Sequence, residues 1–349
     1  MATEATQTFP RPRAASASRW QAPPLRTLQV VLGFIWLLDG ALQYQSFMFH
    51  KTFVTQIIEP NSVGQPGIIA HPILWMGHLV EPRVAIFNGF AATIEVLIGL
   101  GLIYRPTVRT ALLTSFAWAG GIWLFGEGLG GLATGNAAPL TGAPGAALLY
   151  VIIGLILWPR SNSQTTGLNG GLLGVRGARI AWAALWLLAA GLWLVPVNRG
   201  ASATHDAIAE APSGAAWLTS IEHSGAKAAA GGGVAIAMVL ALASLAIAIA
   251  VALDWHPRPF LAAACCISVA YWVGGEGLGG IFTGSGTDPG AGPLFLLLAA
   301  TLYGILGTPV EAPPQYVRTS LVERPPLQYR SRAYLDRNHN HAPSGARGG

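Results

Sequence analysis

The chain has 349 residues, of which 52% are hydrophobic and only 10% charged, with a mean hydropathy of +0.49 and twelve Trp. Soluble domains carry about a quarter of their residues as charges, so the composition excludes an ordinary soluble enzyme and reads as a multi-spanning membrane protein. The net charge of +5 comes from 18 Arg and 2 Lys against 15 acids. With abundant Ala, Gly and Pro, the Arg bias fits a GC-rich genome rather than a nucleic-acid surface, and membrane topology accounts for it.

Residues 1–26 form a polar tail rich in Pro and Arg, with no short apolar core or small-residue cleavage site, so the expectation is a disordered cytoplasmic extension rather than a signal peptide. Apolar runs long enough to cross about 30 Å of hydrocarbon fall at 27–45, 84–104, 110–129, 144–159, 179–197, 231–253, 259–281 and 291–308, the fourth and last being short. Eight spans with both termini inside put 16 Arg on the cytoplasmic face and leave Lys51, Arg83, Arg199 and Lys227 outside. That asymmetry is the positive-inside rule, and it sets the expected orientation; the expected location is the cytoplasmic membrane of a bacterium. Residues 310–349 are again rich in Pro and Arg without hydrophobic periodicity, and read as a disordered cytoplasmic tail.

The fold class expected is all-α, a polytopic helical bundle in two parallel four-helix repeats, 27–160 and 178–309, joined by a cytoplasmic linker, 161–177. The strongest sign is a doubled motif. Trp123-Leu-Phe-Gly-Glu-Gly-Leu-Gly-Gly131, followed by Thr134-Gly135, recurs 149 residues later as Trp272-Val-Gly-Gly-Glu-Gly-Leu-Gly-Gly280, followed by Thr283-Gly284. In each copy a Glu ends an apolar run four residues after a Trp, one helical turn along and hence on the same helix face. Trp36-Leu-Leu and Trp186-Leu-Leu repeat at an offset of 150, and Tyr104-Arg-Pro and Trp255-His-Pro mark corresponding cytoplasmic turns. An even number of spans per repeat gives parallel topology.

Each repeat also carries a long outer segment. In the first, Phe47 to Val80 is cut by Pro60, Pro66 and Pro72 into pieces too short to span, which are expected to lie at the interface and cap the bundle. It holds His50, His71 and His78 with Met48 and Met76, imidazole and thioether ligands of the kind copper takes, although no tight His-x-His or Met-x-x-Met array is present. The adjacent Cys265 and Cys266 lie in an apolar run and read as two buried free thiols.

Four carboxylates fall inside the spans: Asp39, Glu95, Glu127 and Glu276. Each costs about 2.5 to 3.5 kcal/mol near a helix centre, which makes it a functional candidate. At about 1.5 Å of rise per residue, Asp39 and Glu95 lie roughly mid-membrane, while Glu127 and Glu276 lie near the outer ends of their helices. Gly33, Trp36, Asp39, Gly40 and Gln43 share one face of the first span, and Asn88, Ala92, Glu95 and Gly99 one face of the second, so the small residues allow close approach and the polar ones point into the bundle. Ala189 and Ser244 occupy the positions of Asp39 and Glu95 in the second repeat, which places any chemistry in the first, with Glu276 contributing across the symmetry axis. The ligand-binding or proton-relay candidates are therefore Asp39, Gln43, Asn88, Glu95, Trp123, Glu127, Trp272 and Glu276. The plain structural alternative is that Glu127 and Glu276 cap the amides of their own glycine-rich loops or pair with Arg83 or Arg199.

The segments Leu32-Gly33-Phe-Ile-Trp36-Leu-Leu-Asp39-Gly40 and Ile94-Glu95-Val-Leu-Ile-Gly99-Leu, with an Arg before the first span and a turn at Arg105, resemble the DoxX/DoxD-like four-helix membrane proteins over residues 26–130. The resemblance implies a four-span bundle in the cytoplasmic membrane and a redox or quinone-linked accessory role, with Asp39 and Glu95 as site residues. The expected function is an accessory membrane protein whose outward-facing acidic pocket binds a quinone and works with a redox partner protein, because no cofactor-binding motif is present. The rival readings are a proton-coupled transporter or permeation pathway, with Asp39 and Glu95 as relay and Glu127 with Glu276 as outer gate, and a copper-handling protein. A catalytic set such as Ser/His/Asp is absent, and no nucleic-acid partner is expected.

Overall fold

The computed structural model describes residues 23–160 and 168–307. The expected tails therefore lie almost wholly outside the described residues, as does the linker up to 167. Everything described is helix, turn or loop. The helices are α1 (Leu25–Leu42), α2 (Gly67–Val80), α3 (Val84–Ile103), α4 (Val108–Gly121), α5 (Ala146–Ile156), α6 (Gly174–Trp193), α7 (Ala203–Ala209), α8 (Ala216–Ala229), α9 (Gly233–Ala252), α10 (Pro257–Gly274) and α11 (Ala291–Gly307). Five segments are long and apolar enough to cross a membrane: Leu25–Leu42, Gly67–Ile103, Arg105–Gly126, Gly174–Trp193 and Gly233–Ala252.

Local chemistry sets most helix limits. Pro106 and Pro257 cannot continue a preceding helix but suit the start of the next, so α3 stops at Ile103 and α10 begins at Pro257. The apolar run 144–159 is helical only over Ala146–Ile156, bounded by Gly145 at φ 104° and the Trp158-Pro159 pair. Eleven residues rise about 17 Å, roughly half the hydrocarbon thickness. The run 259–281 likewise ends early, at Gly274, where the Gly-Glu-Gly sequence breaks the helix. At the other boundary α6 starts at Gly174, so the end of the expected linker is already helical.

The two largest packing contacts pair α1 with α3 and α6 with α9. Small residues make the first possible: a Cβ on Gly33 would meet the Gly99 carbonyl oxygen at 2.8 Å, and one on Gly40 would meet Val96 Cγ2 at 2.7 Å. Both distances are well inside van der Waals contact, so only glycine lets these backbones approach. At the opposite end Arg26 donates to the terminal carbonyls of α3, Leu102 O and Ile103 O, satisfying acceptors that the helix end leaves free. Arg179 pairs with Asp254 just past α9 at 3.0 Å.

One extended core runs through α1, α3–α6 and α9–α11 and includes Trp36, Tyr150, Trp182 and Trp186. The segment 46–80 has its own apolar cluster around Met48, Phe53, Val54, Ile58 and Ile73. Phe34, Ile68, Ile86, Phe90, Val239 and Leu242 are exposed on the periphery, an apolar surface of the kind that marks contact with a membrane or a partner. Cys265 is half-buried and Cys266 exposed on α10, both as free thiols, so only the absence of a bridge between them matches the expectation of two buried thiols.

Candidate functional site

The periodicity of α1 and α3 turns their polar faces toward each other. Asp39 is 3% exposed, Glu95 2% and Asn88 0%, and Gln43 is buried as well. With Glu127 they line one cavity of about 270 Å³ bounded by α1, α3, α4 and α5. Its remaining surface is mostly apolar and includes Phe53, Ile57, Met76, Phe87, Ile122 and Phe125. The segment 46–80 closes one side with Phe53, Ile57, Ile58 and Met76.

Three residues that the sequence did not single out complete the wall. Tyr150 of α5 donates its hydroxyl to Asp39 Oδ2 and lies against the Trp36 ring at a centroid distance of 4.2 Å. Trp118 of α4 donates Nε1–H to Glu95 Oε1 at 3.1 Å, and Asp288 enters from the loop between α10 and α11. Asp39 and Asn88 do not bond each other: Asn88 Nδ2 donates to the Gln43 carbonyl oxygen at 2.6 Å. Among the described residues, five buried oxygens on this wall have no hydrogen-bond partner, namely Asp39 Oδ1, Gln43 Oε1, Asn88 Oδ1, Glu95 Oε2 and Glu127 Oε2.

The glycine-rich motifs make matching anchors. Glu127 Oε1 accepts from Ala147 N at 3.0 Å, while Trp123 Nε1–H donates to the Pro144 carbonyl at 2.8 Å. Correspondingly, Glu276 Oε2 accepts from Ala291 N at 2.6 Å and Gly292 N at 3.3 Å, while Trp272 Nε1–H donates to the Pro289 carbonyl at 2.6 Å. Each carboxylate thereby satisfies free amides at the start of the following helix, α5 or α11. The partners of both acids are these amides rather than Arg83 or Arg199.

The single α-turn expected between Trp and Glu is replaced by a wider one. Glu127 N donates to Ile122 O and Glu276 N to Tyr271 O, both at 2.9 Å and both spanning five residues. The wider turn still brings Trp and Glu to one target, the segment just before the next helix. Leu129 (φ 57°) and Leu278 (φ 56°) adopt the same left-handed conformation, a strained choice for a side chain-bearing residue. Gly145 (φ 104°) and Gly290 (φ 84°) lie directly against the carboxylates of Glu127 and Glu276, where a Cβ has no room.

The expected convergence of acids is therefore divided. Asp39, Glu95 and Glu127 share the cavity with Gln43 and Asn88, whereas Trp123, Trp272 and Glu276 are not on its wall. The acid that arrives from the C-terminal helices is Asp288, not Glu276. It was hidden from sequence reading because it sits outside every apolar run, with only tertiary packing to bring it inward. Its Oδ2 accepts from Thr287 Oγ1 and its Oδ1 from Gly290 N, both at 2.8 Å. Burial raises this carboxyl above the ordinary range, against the opposing effect of those two hydrogen bonds.

The histidines of the outer segment lie elsewhere. His50 Nδ1 bonds the Ser46 carbonyl oxygen at 2.7 Å, and His71 and His78 are exposed on α2. Among the described residues no group of three or more His, Cys, Asp or Glu is placed to hold a metal ion. Met48 is packed in the segment's own core, while Met76 faces the cavity.

In comparisons with protein-family models, curated proteins and solved structures, nothing matches this chain. Its function is accordingly read from the geometry of the cavity.

Proposed function

We propose that this protein is an accessory, quinone-linked component of a bacterial cytoplasmic membrane, with a cavity that binds a quinone or the corresponding quinol. In this reading the chain has eight spans, with α5, α10 and α11 completing the five long apolar segments, arranged as two parallel four-helix halves with both termini inside. The matching hydrogen bonds of the two glycine-rich anchors support the two-half organisation. The DoxX/DoxD-like segments around Asp39 and Glu95 are the part of the first half that forms the cavity.

The observation that carries the ligand reading is the set of five unpartnered oxygens on an otherwise apolar wall. A buried acceptor left unpaired costs about 1 to 3 kcal/mol, so a ligand that supplies hydrogen-bond donors recovers several such losses at once. A quinol does so with its two hydroxyls while its ring meets Phe87, Phe125 and Met76. A protonated carboxyl serves the oxidised form by donating to its carbonyl. Among the described residues no Lys, Arg or His lines the cavity, which disfavours an anionic ligand.

Size and access favour the same class. A cavity of about 270 Å³ lies near the lower end for small-molecule sites, enough for a ring but not for an isoprenoid tail as well. The wall residues Ile57, Met76, Phe87, Gly121, Ile122 and Phe125 are only partly buried and belong to the outer segment, α3, α4 and the wide turn after α4. In this reading a lipid-soluble ligand enters between those elements from the bilayer, with its tail left outside. Electron transfer would be the task of a redox partner protein.

The test is extraction of the full chain in mild detergent, followed by mass spectrometry of bound lipid and carbodiimide labelling of Glu95 with and without added quinol. Co-purified quinone and protection of Glu95 are expected. Absence of both refutes the proposal.

A further inference from the structure

The cavity that holds Asp39 and Glu95 shares a wall with a second, larger one. This outer cavity, of about 920 Å³, lies among the two glycine-rich loops and α7. Gly126, Glu127, Ala146, Thr287 and Asp288 line both. Of these five, only Glu127 and Asp288 have an ionisable carboxyl group. The outer cavity continues with Glu276, Asp206 and Glu210, and Asp206 on α7 and Glu210 just past its end are exposed.

We infer that Glu127 and Asp288 form a proton-exchange gate joining the buried Asp39–Glu95 site to water on the outer face. The step is a plain proton transfer: a carboxylic acid O–H on the inner side gives its proton to a carboxylate of the gate, and the gate passes it to water in the outer cavity. No electron or further reactant takes part. The inference rests on the ligand reading of the inner cavity, since those protons would be the ones a bound quinol or quinone exchanges.

Three observations support the gate. First, the inner acids are more than nine-tenths buried and each presents an unpartnered oxygen, Asp39 Oδ1 and Glu95 Oε2. Second, Glu127 holds Ala147 N with one oxygen and leaves Oε2 unpartnered, so the group is anchored yet has a free site for a proton. Third, the gate is surrounded by other titratable groups: Asp39 from α1, Glu95 from α3, Tyr150 from α5, and Glu276, Asp206 and Glu210 on the outer side, with no Lys, Arg or His on either wall among the described residues. Crowded carboxyls share protons readily because full ionisation of all of them is opposed by mutual repulsion. Both oxygens of Asp288 accept local hydrogen bonds, Oδ1 from Gly290 N and Oδ2 from Thr287 Oγ1; a structural role needs only these acceptors, whereas a gate also needs a carboxyl that gains and loses a proton.

That distinction sets the experiment. The full-length protein is placed in lipid vesicles, exposed to deuterated water, and followed by infrared absorption of its protonated carboxyl carbonyls, the inner bands being assigned by their loss in Asp39→Asn and Glu95→Gln. The test variants are Asp288→Asn and Glu127→Gln, singly and together. Each retains a side-chain oxygen to accept from Gly290 N or Ala147 N, so the loop anchors survive. Exchange of the inner carboxyls is expected to slow at least tenfold in the double variant. An unchanged rate, with the same helix content, overturns the inference. Quinol binding is followed separately through Trp118 fluorescence: rapid exchange that depends on the gate, without quinol binding, overturns only the ligand reading.

Discussion

Replacing Tyr150 by Phe is the sharpest test of the interior, because it deletes one hydroxyl and leaves the ring. The ring contact with Trp36, at 4.2 Å between centroids, is retained, so the loss is almost wholly polar. Asp39 then has no partner for either carboxyl oxygen, since Oδ1 has none in the native protein and Oδ2 accepts only from Tyr150 among the described residues. Leaving one buried acceptor unsatisfied costs about 1 to 3 kcal/mol, and the 3% exposure of Asp39 gives water little chance to substitute. Asp39→Asn is the natural second variant, and with Tyr150→Phe it completes a double-mutant cycle. Unfolding of the purified protein by detergent titration, read by circular dichroism, should give a coupling energy of about 1 to 2 kcal/mol between the two sites, within the usual range for residues in direct contact. A coupling below about 0.5 kcal/mol, the level seen for independent sites, would refute the idea that this bond holds α1 to α5.

Further outcomes follow from the packing and the loops. Gly33→Ala should force α1 from α3, because its Cβ meets the Gly99 carbonyl oxygen at 2.8 Å. A loss of about 1 to 3 kcal/mol is expected from such overpacking, measurable in the same titration, whereas Gly120→Ala, with open space at its Cβ, should be tolerated. Gly145→Ala combines an unsuitable φ of 104° with collision against the Glu127 carboxylate; release of α5 should appear as faster amide exchange at Ala147, and Gly290→Ala should do the same at Ala291. Asp288→Asn should stabilise the protein at neutral pH but not in acid. The folded pKa of Asp288 is raised, so the fold is penalised once pH rises above the unfolded value and ionisation is demanded; Asn removes that penalty, and equal effects at both pH values would contradict the assignment.

The apolar runs and their punctuation made much of the helical architecture readable. Runs such as 231–253 are apolar over their whole length, and Pro106 and Pro257 mark their turns, so local propensity and hydrophobicity agree. The facing polar stripes of α1 and α3 were likewise legible, because helical periodicity puts Asp39 with Gly33 and Gln43, and Glu95 with Asn88 and Gly99, before any partner is known. Helix lengths were less legible. The run 144–159 is apolar enough to mislead, and the backbone demands of Gly145 and Pro159, rather than hydrophobicity, decide that α5 is short. The wide turns ahead of Glu127 and Glu276 were invisible for a related reason: spacing alone assumes a regular helix, whereas the glycines that follow permit another geometry.

The sequence by itself determined that this chain is an apolar helical protein with acids embedded in its helices and two copies of one glycine-rich motif. These follow from residue chemistry and from spacing within single helices, where the interacting groups are near neighbours along the chain. Only the tertiary structure decided which acids meet. Tyr150 reaches Asp39 across 111 positions, Trp118 reaches Glu95 from the next helix, and Asp288 replaces Glu276 on the cavity wall. Such partnerships depend on how packed helices orient their faces and where a loop folds back, and those are properties of the assembled core rather than of any local stretch.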